Sequence, residues 1–148
     1  MKMFYRLMFV VLSLGLLFGC GPENVRSEMR PHEDGTYRGA FIDRDVIQVV
    51  VQFTLKDGIV TAASFRRLYL NDRYNQDNEQ EPYRSVIQQH QEALDYLVGK
   101  NLSQHLAQLY SPGDIVTTEV DGYSGATIRS NKLISAIRDG LNRGVYSH

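Results

Sequence analysis

The sequence predicts an α+β domain: an antiparallel sheet, built from an N-terminal β-meander plus a short later strand, packed with two central helices and a C-terminal helix. Three observations predict it. Residues 46–56 alternate apolar and polar with period two and run into Asp57-Gly58, a pair suited to a tight hairpin. Apolar residues then recur at helical spacing from Tyr83 to Val98. A second amphipathic stretch, 128–143, closes the chain.

The elements follow in order. Asp34-Gly35 marks a turn into a first strand over 36–42. In the second strand Ile47, Val49, Val51, Phe53 and Leu55 share one face, and Gln48, Gln52, Thr54 and Lys56 the other. Asp57 and Gly58 both tolerate the positive φ of a type I′ turn, and the return strand runs from Ile59 to about Leu70. Residues 71–81 are polar, with seven Asn, Asp or Gln among eleven, and read as a loop. Pro82 suits the first turn of a helix whose inner side carries Tyr83, Val86, Ile87, His90, Leu94, Leu97 and Val98, with Gly99 as its stop. Asn101 caps a second short helix bearing Leu102, Leu106 and Leu109. A short extended segment spans 115–120. The closing helix directs Leu133, Ile134, Ile137 and Leu141 inward.

Composition narrows the function. The 148 residues carry 16 Lys+Arg against 17 Asp+Glu, so there is no basic excess and no nucleic acid is expected as a partner. One Cys excludes an intramolecular disulfide framework and a multi-cysteine zinc site. His32, His90, His105 and His148 lack metal-ligand spacing, so no metal site is expected. His90, between Ile87 and Leu94, reads as a hydrogen-bonded core histidine. Strand alternation sends Arg66 and Arg67 to opposite faces. No Ser-His-Asp, Cys-His or paired-carboxylate pattern stands out, so no catalytic residue is assigned.

The single thiol is Cys20, at the end of a targeting segment. Lys2 and Arg6 precede 13 uncharged residues, 7–19. As a helix that run is about 20 Å long, short of a ~30 Å hydrocarbon core, and fits a signal peptide better than a membrane span. Leu17-Phe18-Gly19-Cys20 resembles the lipobox of bacterial lipoproteins, in which the cysteine is lipidated on sulfur and becomes the first residue after cleavage. Phe18 stands where a smaller residue is usual. The expected organisation is a signal peptide over 1–19, lipidated Cys20 with a flexible tether to residue 33, and one domain over 34–148. The resemblance implies a place in the cell envelope, held to the membrane on its extracytoplasmic side, with Gly21 leaving both inner and outer membranes open. Cleavage removes Lys2 and Arg6 and leaves 129 residues with 14 basic and 17 acidic side chains. No free thiol then remains, so redox chemistry here needs a borrowed cofactor.

The chemistry concentrates in Asp121-Gly122-Tyr123-Ser124-Gly125-Ala126-Thr127. Ser124, Gly125 and Ala126 are small enough for a bulky ligand to approach the backbone. Thr127 is placed to cap the closing helix, whose first N–H groups, from Ile128 onward, would face an anion. Arg129 is placed to add a charge-assisted contact. Plain capping accounts for Thr127 on these grounds alone. Tyr123 reads equally as a packing residue or as one that stacks on a ring.

This stretch matches the D-x-x-[ST]-G-A-T motif and resembles the FMN-binding domain family, which includes flavinylated subunits of the sodium-pumping NADH:quinone reductase and of the Rnf complex. Five specified residues match by chance in about 2 in 10,000 chains of this length. Asp34-Gly35-Thr36-Tyr37-Arg38-Gly39 and Lys56-Asp57-Gly58-Ile59-Val60 also resemble the family's opening strand and hairpin, so the resemblance spans about 34–148. It implies FMN as cofactor, esterified through its phosphate to Thr127 by an FAD- and magnesium-dependent flavin transferase that releases AMP. Asp121 would then be a transferase-recognition residue near the metal, and Ser124, Gly125 and Ala126 would shape the phosphate turn. Many members have Thr or Ser two residues after the motif, where this chain has Arg129. The implied role is an electron-transfer carrier between protein partners that the sequence does not name. The alternative is a non-redox, anion- or ligand-binding lipoprotein module using the same turn.

Overall fold

The computed structural model describes residues 32–120, 123–124 and 130–147. The chain divides after Arg30, and the unit from Pro31 to His148 holds every element below. The predicted signal peptide, Cys20 and most of the tether lie outside the described residues.

Three strands form the expected meander: β1 (Gly35–Asp43), β2 (Ile47–Lys56) and β3 (Ile59–Tyr69), in the order β1-β2-β3 and antiparallel throughout. The alternation read in β2 is realised, since Ile47, Val49, Val51, Phe53 and Leu55 are all buried. The turn chemistry holds too. Asp57 (φ 52°) and Gly58 (φ 74°) are both left-handed, and Asp34 Oδ1 accepts the Asp57 N–H at 2.7 Å. On the outer face, cross-strand partners bond directly: Thr36 with Thr54 (3.0 Å), and Arg38 Nη2 to Gln52 Oε1 (2.7 Å).

β3 departs from simple alternation twice. Its register against β2 shifts between Thr54/Leu55 and between Val50/Val51, leaving Thr61 and Arg66 as the extra residues. Each bulge puts two successive side chains outward: Thr61 with Ala62, and Arg66 with Arg67. The expectation of opposite faces for Arg66 and Arg67 is therefore corrected. The bulge returns Leu68 to the core, at 1% exposure, where strict alternation from Phe65 would have turned it out.

The loop 71–81 is ordered by its own side chains. Asn71 Oδ1 accepts the N–H groups of Arg73 and Tyr74, Asn75 that of Asp77, and Asn78 that of Gln80. It turns back onto the edge of β3, where Leu70 N–H donates to Tyr74 O (2.7 Å) and Gln76 N–H to Leu68 O (3.0 Å).

Helix α1 spans Tyr83–Asp95 and buries Val86, Gln89, His90, Ala93 and Leu94. It ends earlier than the periodicity of Leu97 and Val98 predicts. Residues beyond Tyr96 leave the helix to line the edge of β3: Gly99 N–H donates to Val60 O (2.8 Å) and Val60 N–H to Lys100 O (3.0 Å). Leu97 still reaches the core, whereas Val98 is 40% exposed. Asn101 caps α2 (Leu102–His105) through its side chain, as expected, but the helix tightens into a 3-10 turn over Leu106–Tyr110. Leu102, Leu106 and Leu109 are buried all the same.

Helix α3 spans Ser130–Arg143 and lies across β1 and β2, while α1 lies against β3, so one sheet face is covered and the core sits between. Leu133, Ile134 and Ile137 are buried in that core and Leu141 packs at its margin. α3 meets β1 backbone to backbone. A Cβ on Gly39 would stand 2.0 Å from Ala136 O, so only glycine fits. The expected short later strand is β4 (Glu119–Val120). It pairs with a further strand, β5 (Tyr123–Ser124), in a two-stranded sheet of its own rather than joining the meander. The α+β class therefore stands, with this change of pairing.

Candidate functional site

The motif is framed by three elements. β4 and β5 pair antiparallel, Glu119 with Ser124 and Val120 with Tyr123, and are joined through residues 121 and 122. Residues 125–129 connect β5 to α3, whose first residue, Ser130, is 8% exposed. Among the described residues, a short strand pair thus lies before residues 125–129 and a 14-residue helix after them. Among the expected site residues, Tyr123 and Ser124 are described, as backbone partners in β5. Asp121, Gly125, Ala126, Thr127, Ile128 and Arg129 lie outside the described residues, and so does the N-cap expected of Thr127.

The best-defined chemistry near this frame belongs to α1. Glu92 Oε2 accepts the backbone N–H groups of Thr117 (2.8 Å) and Thr118 (3.0 Å) and the Thr117 hydroxyl (3.3 Å). Glu92 Oε1 accepts the Thr118 hydroxyl. One turn earlier Gln89 Nε2 donates to Thr118 O at 2.8 Å. Burial by itself would raise the Glu92 carboxyl, but the hydrogen bonds from Thr118 and Thr117 outweigh it and bring the pKa down to about 2. The segment just ahead of β4 is thus gripped by an ionised carboxylate and a buried amide.

His90 is the core histidine expected, at 1% exposure, with Nδ1 2.7 Å from Val86 O. A carbonyl oxygen only accepts, so Nδ1 carries a proton. Sequence reasoning missed Gln89 and Glu92. For Gln89 a signal existed, because a polar residue three after Val86 and four before Ala93 falls on the apolar stripe. Glu92 sits at the margin of that stripe, where carboxylates are ordinary, and nothing local marks it.

A concavity lies at the C-terminal end of α3, about 20 Å along the helix from Ser130. It is a cleft of about 290 Å³ lined by Arg38, Ala40, Val50, Arg143, Val145 and Tyr146. Arg38 Nη1 donates to Tyr146 OH (3.1 Å), and its guanidinium carbon lies 4.1 Å from the Tyr146 ring centre. Arg143 Nε is paired with Asp139 at 2.8 Å. The Arg38–Tyr146 contacts fasten the C-terminal segment to β1, where Tyr146 N–H also donates to Thr36 O (2.7 Å). Compared with protein-family models, with curated proteins and with solved structures, the chain matches none.

Proposed function

We propose that this chain is a lipid-anchored extracytoplasmic flavoprotein whose FMN is joined through a phosphoester to Thr127 and which carries electrons between protein partners. The observation that supports this reading is the Asp121-x-x-Ser124-Gly125-Ala126-Thr127 stretch. In chain order the stretch follows β4, includes β5 and leads to α3, which is in keeping with this reading. In the attachment, the Thr127 hydroxyl oxygen bonds to the FMN-side phosphorus of FAD as the pyrophosphate bond breaks. The hydroxyl proton is released and AMP leaves. Ser124, Gly125 and Ala126 would leave room at the phosphate, and N–H groups from Ile128 onward, with Arg129, would face its remaining negative charge.

When bound, FMN supplies the electron chemistry, and the protein supplies position and polarity. A covalent link suits a domain outside the cytoplasm, where a weakly held cofactor is lost by dilution. With no free thiol and one small domain, a carrier fits better than an enzyme with a substrate of its own. Co-expression with a flavin transferase, with FAD and magnesium present, is expected to add the mass of FMN less one water. Thr127→Ala is expected to abolish the gain. An unchanged intact mass for the wild-type protein sinks the covalent reading.

A further inference from the structure

We infer that the uncovered face of the meander is a docking surface for anionic lipid headgroups, laying β1–β3 on the membrane that holds the chain's anchor. Nearness to a membrane rests on the lipid on Cys20 proposed above; the charge and shape of the face do not. The helices cover one side of the sheet. Among the described residues, the strand positions directed to the other side carry four cations, Arg38, Lys56, Arg66 and Arg67, and no Asp or Glu. None of the four is ion-paired among the described residues. Arg38 bonds to Gln52 and Tyr146, Arg67 bonds to Gln48, and the side chains of Lys56 and Arg66 make no hydrogen bond. Carboxylates stand at strand ends and turns, as at Asp43, Asp45 and Asp57, and Asp72 is held by the Tyr69 hydroxyl at 2.5 Å. The positive charge is therefore concentrated across the middle of the face.

Shape and reach favour a membrane as the occupant. An open three-stranded face meets a planar surface without needing a matching pocket. Both of its edges are recessed beside arginines. The cleft at β1 is lined by Ala40 and Val50 with Arg38 and Arg143. A concavity of about 320 Å³ at β3 is lined by Arg66, Arg67 and Tyr69, with Asp77. Guanidinium groups hold phosphate oxygens by paired, charge-assisted hydrogen bonds. At the turn between β1 and β2, Ile42 and Val46 are 63% and 56% exposed, apolar surface that a headgroup layer would cover. Residues 21–33 separate Cys20 from Asp34, and a chain of that length reaches no more than about 50 Å. A domain anchored at Cys20 thus meets the bilayer at high effective concentration, where a few weak charge contacts suffice. An acidic protein would have to be met by diffusion.

The test uses the lipidated full chain in vesicles. The sequence has no tryptophan, so Ser64→Trp, exposed in the middle of the face, and Ser135→Trp, exposed on α3, each supply a single reporter. In vesicles with about one part in three phosphatidylglycerol, the rest phosphatidylcholine, a headgroup-nitroxide lipid should quench the Ser64→Trp reporter about three-fold more than the other. In pure phosphatidylcholine the two should be quenched alike. Lys56→Gln with Arg66→Gln, which break no side-chain bond, should remove most of the difference, as should salt at about 0.5 M. Equal quenching in the anionic vesicles overturns the inference. So does binding of soluble poly-glutamate, read from the Ser64→Trp emission, as tight as that of anionic vesicles at matched charge, an outcome that makes an acidic protein the occupant. Wild-type protein that does not float with phosphatidylcholine vesicles means that the anchor fails, and co-sedimentation at low salt then decides the face. About ten-fold more protein should pellet with anionic than with neutral vesicles, and equal amounts overturn the inference.

Discussion

At the scale of single residues, Glu92 shows how far environment reshapes a side chain that looks ordinary in the sequence. Its carboxyl is held at about 2, against 4.5 unperturbed, by donors from Thr118 and Thr117 that overcome its desolvation. A carboxyl whose folded pKa is depressed stabilises the protein above its unfolded value, and that stabilisation is lost as pH falls from about 4.5 toward 2. Allowing for solvent screening of a half-buried group, the loss should be about 1–2 kcal/mol. Urea unfolding of wild type and Glu92→Gln at pH 5 and pH 2.5 checks this. The gap between the two proteins should narrow in acid, and a constant gap would contradict the assignment. His90 was legible from its place on the apolar face. Glu92 was not, because its donors come from residues 25 and 26 positions away.

At the scale of elements, α3 and β1 meet through glycine. Gly39 faces Ala136 O and the backbone of Gly140, which leaves no volume for a methyl group. Gly39→Ala must push the helix off the strand or distort both, and is expected to cost about 3 kcal/mol in unfolding free energy. A shift in the denaturant midpoint at constant slope measures it. A change below about 0.5 kcal/mol would mean that the helix rides on the sheet more loosely than these distances imply. The strands themselves were readable because period-two alternation and Asp57-Gly58 act locally. The end of α1 was not. Residues 97 and 98 fit the helical period, yet the backbone there pairs with the edge of β3, and that pairing outweighs one more helical turn.

At the scale of the whole molecule, the proposed roles divide along the chain: Cys20 attaches it, the sheet and helices form the body, and the stretch ending at Thr127 carries the cofactor. No helix among the described residues is long and apolar enough to cross a membrane. Attachment through a lipid on Cys20 predicts that Cys20→Ser moves the protein from the membrane fraction to the soluble one with Thr127 flavinylation retained. Fractionation followed by intact mass tests both halves. A Cys20→Ser protein that still sediments with membranes and resists a high-salt wash would remove the anchor from the proposal.

What the sequence determined by itself are the features set by neighbours in the chain. The meander, the left-handed Asp57-Gly58 turn, the Asn101 cap and the inward faces of β2 and α3 all follow from local period and turn chemistry. The expected sites at Cys20 and Thr127 rest in the same way on residue identity at fixed spacing. Tertiary structure alone decided the bulges at Thr61 and Arg66, the stop of α1 at Asp95, the separate pairing of β4 with β5, and the capture of Thr117 and Thr118 by Gln89 and Glu92. For the stop of α1 and the capture of Thr117 and Thr118, the reason is the demand of edge and buried backbone groups for hydrogen-bond partners, which come from parts of the chain that no local pattern links; the bulge at Arg66 instead returns Leu68 to the core.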